Sequence, residues 1–122
     1  MARILLVEDH PALAALRCTV LSRSGHEVVC AGDGEEACRL LTREVFDLVI
    51  TDAVLPKGSG VEVAIAAQKH HLPVILSSGW PSKKAHQVAD WVVPKPCSIP
   101  EFLRLVDSAL KKSTRSRIRL TR

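Results

Sequence analysis

Five side chains have the types and positions to do chemistry together. Glu8 and Asp9 follow the unbroken aliphatic run Ile4-Leu5-Leu6-Val7, and Asp52 follows Leu48-Val49-Ile50. Ser78 comes just after Pro73-Val74-Ile75-Leu76, and Lys95 stands just past Trp91-Val92-Val93. If these runs are strands of one parallel sheet, all five residues meet beyond its carboxyl edge, where open α/β sheets bind ligands. Carboxylates crowded within a few Å repel, and each raises its neighbour's pKa unless a cation intervenes. A hard divalent cation with oxygen ligands, Mg²⁺ above all, answers that need. Lys95 then completes the balance or holds an anion. Each residue alone has a plainer reading. The acidic pair suits a helix N-terminus, Asp52 a turn before Pro56, Ser78 a loop, and Lys95 a solvated surface. Their joint order at four strand ends argues for a site.

The elements that must position them are legible in the patterning. Leu13, Leu16, Val20 and Leu21 recur at helical spacing after Pro11, and Ser24-Gly25 stops that helix. Val28–Ala31 reads as a strand. Asp33 with Glu36, and Ser59 with Glu62, are capping boxes opening helices that turn Ala37, Leu40 and Leu41, or Val61 and Ile65, inward. Ser98-Ile99-Pro100-Glu101 caps a last helix with Ile99, Leu103, Val106 and Leu110 as its face. Five strands thus alternate with about five helices. Solidly aliphatic strands are buried on both faces, as in a parallel sheet covered by helices. Right-handed crossovers put helices on both sides. The class is a small doubly wound α/β domain.

Composition sets the outer bounds. The 122 residues are 47% hydrophobic and 25% charged, enough for one core and too apolar for disorder. Aromatics at 3% leave the core to Val, Leu, Ile and Ala. No apolar run approaches the roughly 20 residues of a membrane span, and no leader-like h-region follows Arg3. A cytoplasmic location is expected. Cys18, Cys30, Cys38 and Cys97 show neither a CxxC pair nor zinc spacing and read as reduced, partly buried thiols. His26, His70 and His71 read as surface residues. Six of the seventeen Lys and Arg lie in residues 111–122 with no acid among them. The remaining eleven, against thirteen acidic residues, leave 1–110 at −2. The high pI therefore belongs to a basic end, and residues 113–122 read as a disordered tail behind a domain at 1–112.

Over residues 2–112 the sequence resembles the receiver domain of two-component response regulators. The likeness rests on Leu6-Val7-Glu8-Asp9, on Asp52 with Leu55-Pro56 and Gly60, on Leu72–Gly79, and on Pro94-Lys95-Pro96. It implies a flavodoxin-like five-stranded sheet of order 2-1-3-4-5. It also implies that Asp52 is the phosphoacceptor, attacking a phosphohistidine donor as a carboxylate nucleophile. Asp9 and Asp52 would bind Mg²⁺, with Glu8 acting through water and the Val54 carbonyl completing the protein ligands. Lys95 would bridge to a phosphoryl oxygen and Ser78 would hydrogen-bond it, neutralising charge spread over the phosphoryl oxygens. The implied partners are a sensor histidine kinase or a histidine phosphotransfer protein, with no membrane, and a downstream protein.

Two features depart from the family pattern. Its aromatic residue three positions before the lysine is Val92 here, with Trp91 one residue off. Gly79–Ala89 leaves only 11 residues between the fourth and fifth strands, near the ~10–12 minimum for a parallel crossover. The fourth helix is therefore expected to be very short or absent, and the protein to stay monomeric. Val54 and Trp80, apolar positions that flank the phosphoryl group in the family, suggest slow dephosphorylation. Three other functions compete. A Mg²⁺-dependent phosphatase would want a second Asp where Val54 stands, so a non-enzymatic switch is preferred. Nucleic-acid contact would run through the basic tail, which has no aromatic for stacking. A phosphorylation-independent docking domain would not need the intact acidic set.

Overall fold

The apolar runs become strands because a residue buried on both sheet faces costs nothing in polar desolvation and gains by excluding water. In the computed structural model, residues 1–79 and 82–120 are described, with side chains described through residue 112. The chain order is β1 (Arg3–Val7), α1 (Pro11–Arg23), β2 (Glu27–Ala31), α2 (Gly34–Arg43), β3 (Leu48–Asp52), α3 (Gly60–Lys69), β4 (Val74–Ser78), α4 (Lys83–Val88), β5 (Trp91–Pro94) and α5 (Ile99–Leu120). All pairings are parallel, in the order β2-β1-β3-β4-β5. This is the doubly wound sheet that the patterning predicts.

Successive strand residues feed two cores, as the period-two pleat requires. Leu5, Val7 and Val49 join Ala37, Leu41, Phe46, Val63, Ala64, Ala67 and Val88 beneath α2, α3 and α4. Ile4, Leu6, Leu48 and Ile50 join Leu21, Phe102, Val106 and Ala109 beneath α1 and α5. Expected caps are in place: Asp33 accepts from the Glu36 N–H at 2.8 Å and Ser59 from the Glu62 N–H at 3.2 Å. Each such cap is worth about 1 kcal/mol. The Ser98 hydroxyl accepts from the Glu101 N–H at 3.3 Å.

Three helix faces differ from their sequence reading. In α3 the buried stripe is Gly60, Val63, Ala64 and Ala67, while Ile65 is exposed and Val61 only half-buried. Gly60 sits so close to the end of β3 that it sets the rotation of the helix behind it. In α1 the buried residues are Arg17 and Leu21, with Leu16 exposed. In α5 Phe102, not Ile99, heads the buried face.

The fourth helix is short, as the 11-residue spacing requires. It has six residues, is capped by Ser82 on the Ala85 N–H, and buries only Ala85 and Val88. Trp80 lies outside the described residues. At the other end α5 is continuous to Leu120, where composition suggested a disordered tail. The side chains of 113–122, on which nucleic-acid contact would depend, lie outside the described residues. Lys112 pins the described part of α5 to the sheet, 3.3 Å from Asp90 Oδ1 and 5.2 Å from the Trp91 ring centroid. No helix among the described residues is long and apolar enough to cross a membrane.

Candidate functional site

Strand register assembles the site. Val7 pairs with Thr51, so the next residues along, Glu8 and Asp52, emerge side by side at the carboxyl edge. Glu8 shares the parity of Ile4 and Leu6, and Asp52 that of Leu48 and Ile50, which directs both toward the α1/α5 side. Asp52 pairs with Ser77 and Ser78 with Pro94, which brings the ends of β4 and β5 alongside. The Lys95 N–H donates to the Ser78 carbonyl at 3.2 Å, and the Ala53 N–H to the Ser77 carbonyl at 2.9 Å. The Lys95–Pro96 peptide is cis.

The side chains then converge. One ligand oxygen from each of Glu8, Asp9 and Asp52 lies within 4.8 Å of the others. Lys95 Nζ is 2.6 Å from Asp52 Oδ2 and 3.7 Å from Glu8 Oε1. Glu8, Asp52 and Ser78 are buried, whereas Asp9 is exposed at the mouth. The plain reading of the acidic pair as a helix cap does not hold, because His10 caps α1 through Nδ1 on the Leu13 N–H at 3.3 Å. Glu8 Oε2 accepts the His10 N–H at 3.1 Å, but Glu8 Oε1 is buried and accepts no hydrogen bond among the described residues. Lys95 offsets the charge of that buried oxygen from 3.7 Å without hydrogen-bonding it. Three carboxylates offering hard oxygen donors within 4.8 Å of one another fit a small divalent cation.

The loop after Asp52 completes the wall. Val54 is 80% exposed and forms an isolated antiparallel bridge with Ser59. Gly60 donates to the Ala53 carbonyl at 2.9 Å. A Cβ at Gly60 would come within 2.1 Å of the Asp52 carbonyl oxygen and 2.7 Å of Ala53 Cα, so only glycine admits this approach. The turn passes through Lys57 and Gly58, both at positive φ, and the N–H groups of Gly34 and Glu35 donate to the carbonyls of Pro56 and Lys57. The first turn of α2 thereby braces the loop after Asp52.

The five side chains predicted for the site, Glu8, Asp9, Asp52, Ser78 and Lys95, thus lie at one edge, and Val54, the sixth predicted residue, stands exposed two positions past Asp52 in the adjoining loop. Sequence reasoning missed Arg17. It is 4% exposed, its guanidinium lies 4.8 Å from the centroid of the Phe102 ring, and one nitrogen is 3.9 Å from Glu8 Oε1. The one available signal is its spacing of four from both Leu13 and Leu21. The three histidines read as surface residues stand apart from the site: His70 and His71 are exposed at the end of α3, and His26 Nδ1 accepts the Ala2 N–H at 3.2 Å. Cys18, Cys38 and Cys97 are half-buried as expected, whereas Cys30 on the edge strand β2 is exposed. Partial desolvation pushes the thiols of Cys30, Cys38 and Cys97 up from their ordinary range, helped at Cys30 by neighbouring Cys18.

Comparison with known proteins agrees with this fold. The model of the response regulator receiver domain matches residues 4–107. The transcriptional regulatory protein CpxR of Escherichia coli is 33% identical over 119 residues, which cover 93% of this chain and 51% of CpxR. The chain spans about half the length of the curated relatives it matches. Among solved structures, response regulator protein TrrA of Thermotoga maritima, in complex with Mg²⁺–BeF, is 34% identical. That match covers 90% of this chain and all of TrrA, with a TM-score of 0.82. A CheY-like receiver domain protein of Methanospirillum hungatei has a TM-score of 0.88 at 24% identity, covering 95% of this chain and 98% of its own. The latter speaks for the fold.

Proposed function

The chain belongs to the response regulator receiver domain family, and on that premise we propose that Asp52 accepts a phosphoryl group from a phosphohistidine and so switches a protein contact. The observation that carries this reading is the Asp52 carboxylate itself. It is buried at a strand end, held by Lys95 at 2.6 Å, and set against two further carboxylates within 4.8 Å. In the transfer, an Asp52 carboxylate oxygen forms the new O–P bond while the P–N bond to the donor imidazole breaks and that nitrogen leaves with the bonding pair. Asp9, Asp52 and the Val54 carbonyl would hold Mg²⁺, with Glu8 reaching it through water. When bound, the cation neutralises the carboxylates and the incoming phosphoryl oxygens. TrrA, which carries Mg²⁺–BeF, supports that choice of metal. Lys95 supplies a fixed ammonium for a phosphoryl oxygen, and the Ser78 hydroxyl a hydrogen bond to it. The donor is a sensor histidine kinase or a histidine phosphotransfer protein, docking beside α1 near the acceptor.

The output differs from a route through a long fourth helix. Six residues in α4 and Val92 in place of an inward-turning aromatic offer little surface for a dimer. A phosphoryl group's added charge still draws the loop after β4 inward. The protein then signals as a monomer.

One experiment tests the reading: incubation with phosphorylated histidine kinases or a small phosphodonor, with and without Mg²⁺, followed by light scattering. Label appears only with Mg²⁺, Asp52→Asn abolishes it, Asp9→Asn weakens it, and labelled protein scatters as a monomer. Label that persists in Asp52→Asn removes the acceptor assignment.

A further inference from the structure

Among the described residues Arg17 is the only buried Lys or Arg side chain. It stands on the inward stripe of α1, where Leu21 one turn on is fully buried. Taking a guanidinium out of water costs several kcal/mol unless charge and contact repay it. Here the repayment has two parts. The Phe102 ring lies under the guanidinium at 4.8 Å, a cation–π contact strengthened by burial. The other part is Glu8 Oε1 at 3.9 Å, too long for a hydrogen bond but close for two charges in a shielded place. Lys95 Nζ stands 3.7 Å from that same oxygen, which accepts no hydrogen bond among the described residues. Arg17 therefore belongs to the pocket electrostatically without lining its mouth.

Formal charges show what this does. Glu8, Asp9 and Asp52 against Lys95 and Arg17 leave the resting pocket at −1. A divalent cation takes it to +1. Converting the Asp52 carboxylate to an acyl phosphate, near −2, then takes it to about zero. With an uncharged residue at position 17 the same three states are −2, 0 and −1. Arg17 thus moves the balanced state from the metal-loaded, unphosphorylated pocket, where it lies with an uncharged residue, to the phosphoryl-loaded one. We propose that Arg17 is a positioning residue and fixed counter-charge that loosens Mg²⁺ in the resting protein and tightens the phosphoryl group once Mg²⁺ is bound. The inference rests on the function proposed above.

The test uses the full chain as wild type, Arg17→Leu and Arg17→Lys. Calorimetry reads Mg²⁺ affinity, tryptophan fluorescence reads beryllium fluoride binding to the Mg²⁺-saturated protein, and thermal melting is followed separately. In Arg17→Leu, Mg²⁺ binds tighter and beryllium fluoride weaker, each on the order of tenfold. Arg17→Lys, which keeps the charge, stays within about threefold of wild type in both. Opposite movement of the two affinities is the signature, because a merely structural defect weakens both. Unchanged affinities in Arg17→Leu, or a loss of both, overturn the proposal. If Arg17→Leu does not fold, Arg17→Gln and Arg17→Met are read in its place. If no uncharged variant folds, the role is structural and the proposal falls. A wild type that binds neither Mg²⁺ nor beryllium fluoride removes the receiver reading itself.

Discussion

Two arginines in this molecule each lie over a buried phenylalanine and face glutamate, with opposite consequences. Arg3, at the amino edge of the sheet, lies 5.0 Å from the centroid of the Phe46 ring. It donates to Glu27 at 2.9 Å, to the Val45 carbonyl at 3.0 Å, and to Glu44. The Glu44 hydrogen bond above all holds its guanidinium above the usual arginine range. That cluster is partly open to water and its donors are matched, so it serves as a clamp between β1, β2 and the end of α2. Arg17, over Phe102, is buried, and its carboxylate neighbour has an oxygen that accepts no hydrogen bond among the described residues. The same residue types make a surface clamp where water screens them and an unfinished electrostatic site where it does not. The two Phe side chains also sit in different cores, Phe46 in the one beneath α2 and α3, and Phe102, itself on α5, in the one shared with Leu21 of α1.

The largest expected effects come from the two rings. Phe46→Ala and Phe102→Ala each cost about 3–5 kcal/mol in denaturant unfolding. Only Phe102→Ala also shifts Mg²⁺ half-saturation, because only it removes the support under Arg17. An equal shift in Phe46→Ala breaks the comparison. A middle effect belongs to Gly60→Ala, whose added methyl meets the Asp52 backbone. It should cost about 1–3 kcal/mol and slow phosphorylation of Asp52, read by unfolding and by labelling on the same preparation. Normal labelling with normal stability would mean that the α3 side does not hold the acceptor in place. The smallest effect is expected for Arg3→Met. It lowers the melting temperature slightly, by less as salt is added, and leaves Mg²⁺ binding unchanged. A change in metal binding there would show that the amino edge is coupled to the site.

The elements and the site residues were legible to different depths for physical reasons. Strand runs, caps at Asp33 and Ser59, and the brevity of α4 are set by neighbours within a few positions, so they can be read directly. Glu8, Asp9, Asp52, Ser78 and Lys95 were legible because parallel strands all end at the same edge, whichever strand pairs with which. Helix rotation was not. Leu16, Val61 and Ile65 look like inward residues by period, but the approach of Gly60 to β3 and the stripe Leu13–Arg17–Leu21 on α1 set the rotation.

By itself, then, the amino-acid sequence determined the order of elements, their ends and the chemistry gathered at the carboxyl edge, since local propensity and periodicity suffice for these. Tertiary structure alone decided that Lys95 meets Asp52, 43 positions away, and that Arg17 is buried between Phe102 and Glu8. A charged residue on a helix carries no local mark of burial. Whether it faces water or a carboxylate depends on how α1, α5 and β1 pack together, and the energy of that choice exists only once they have packed.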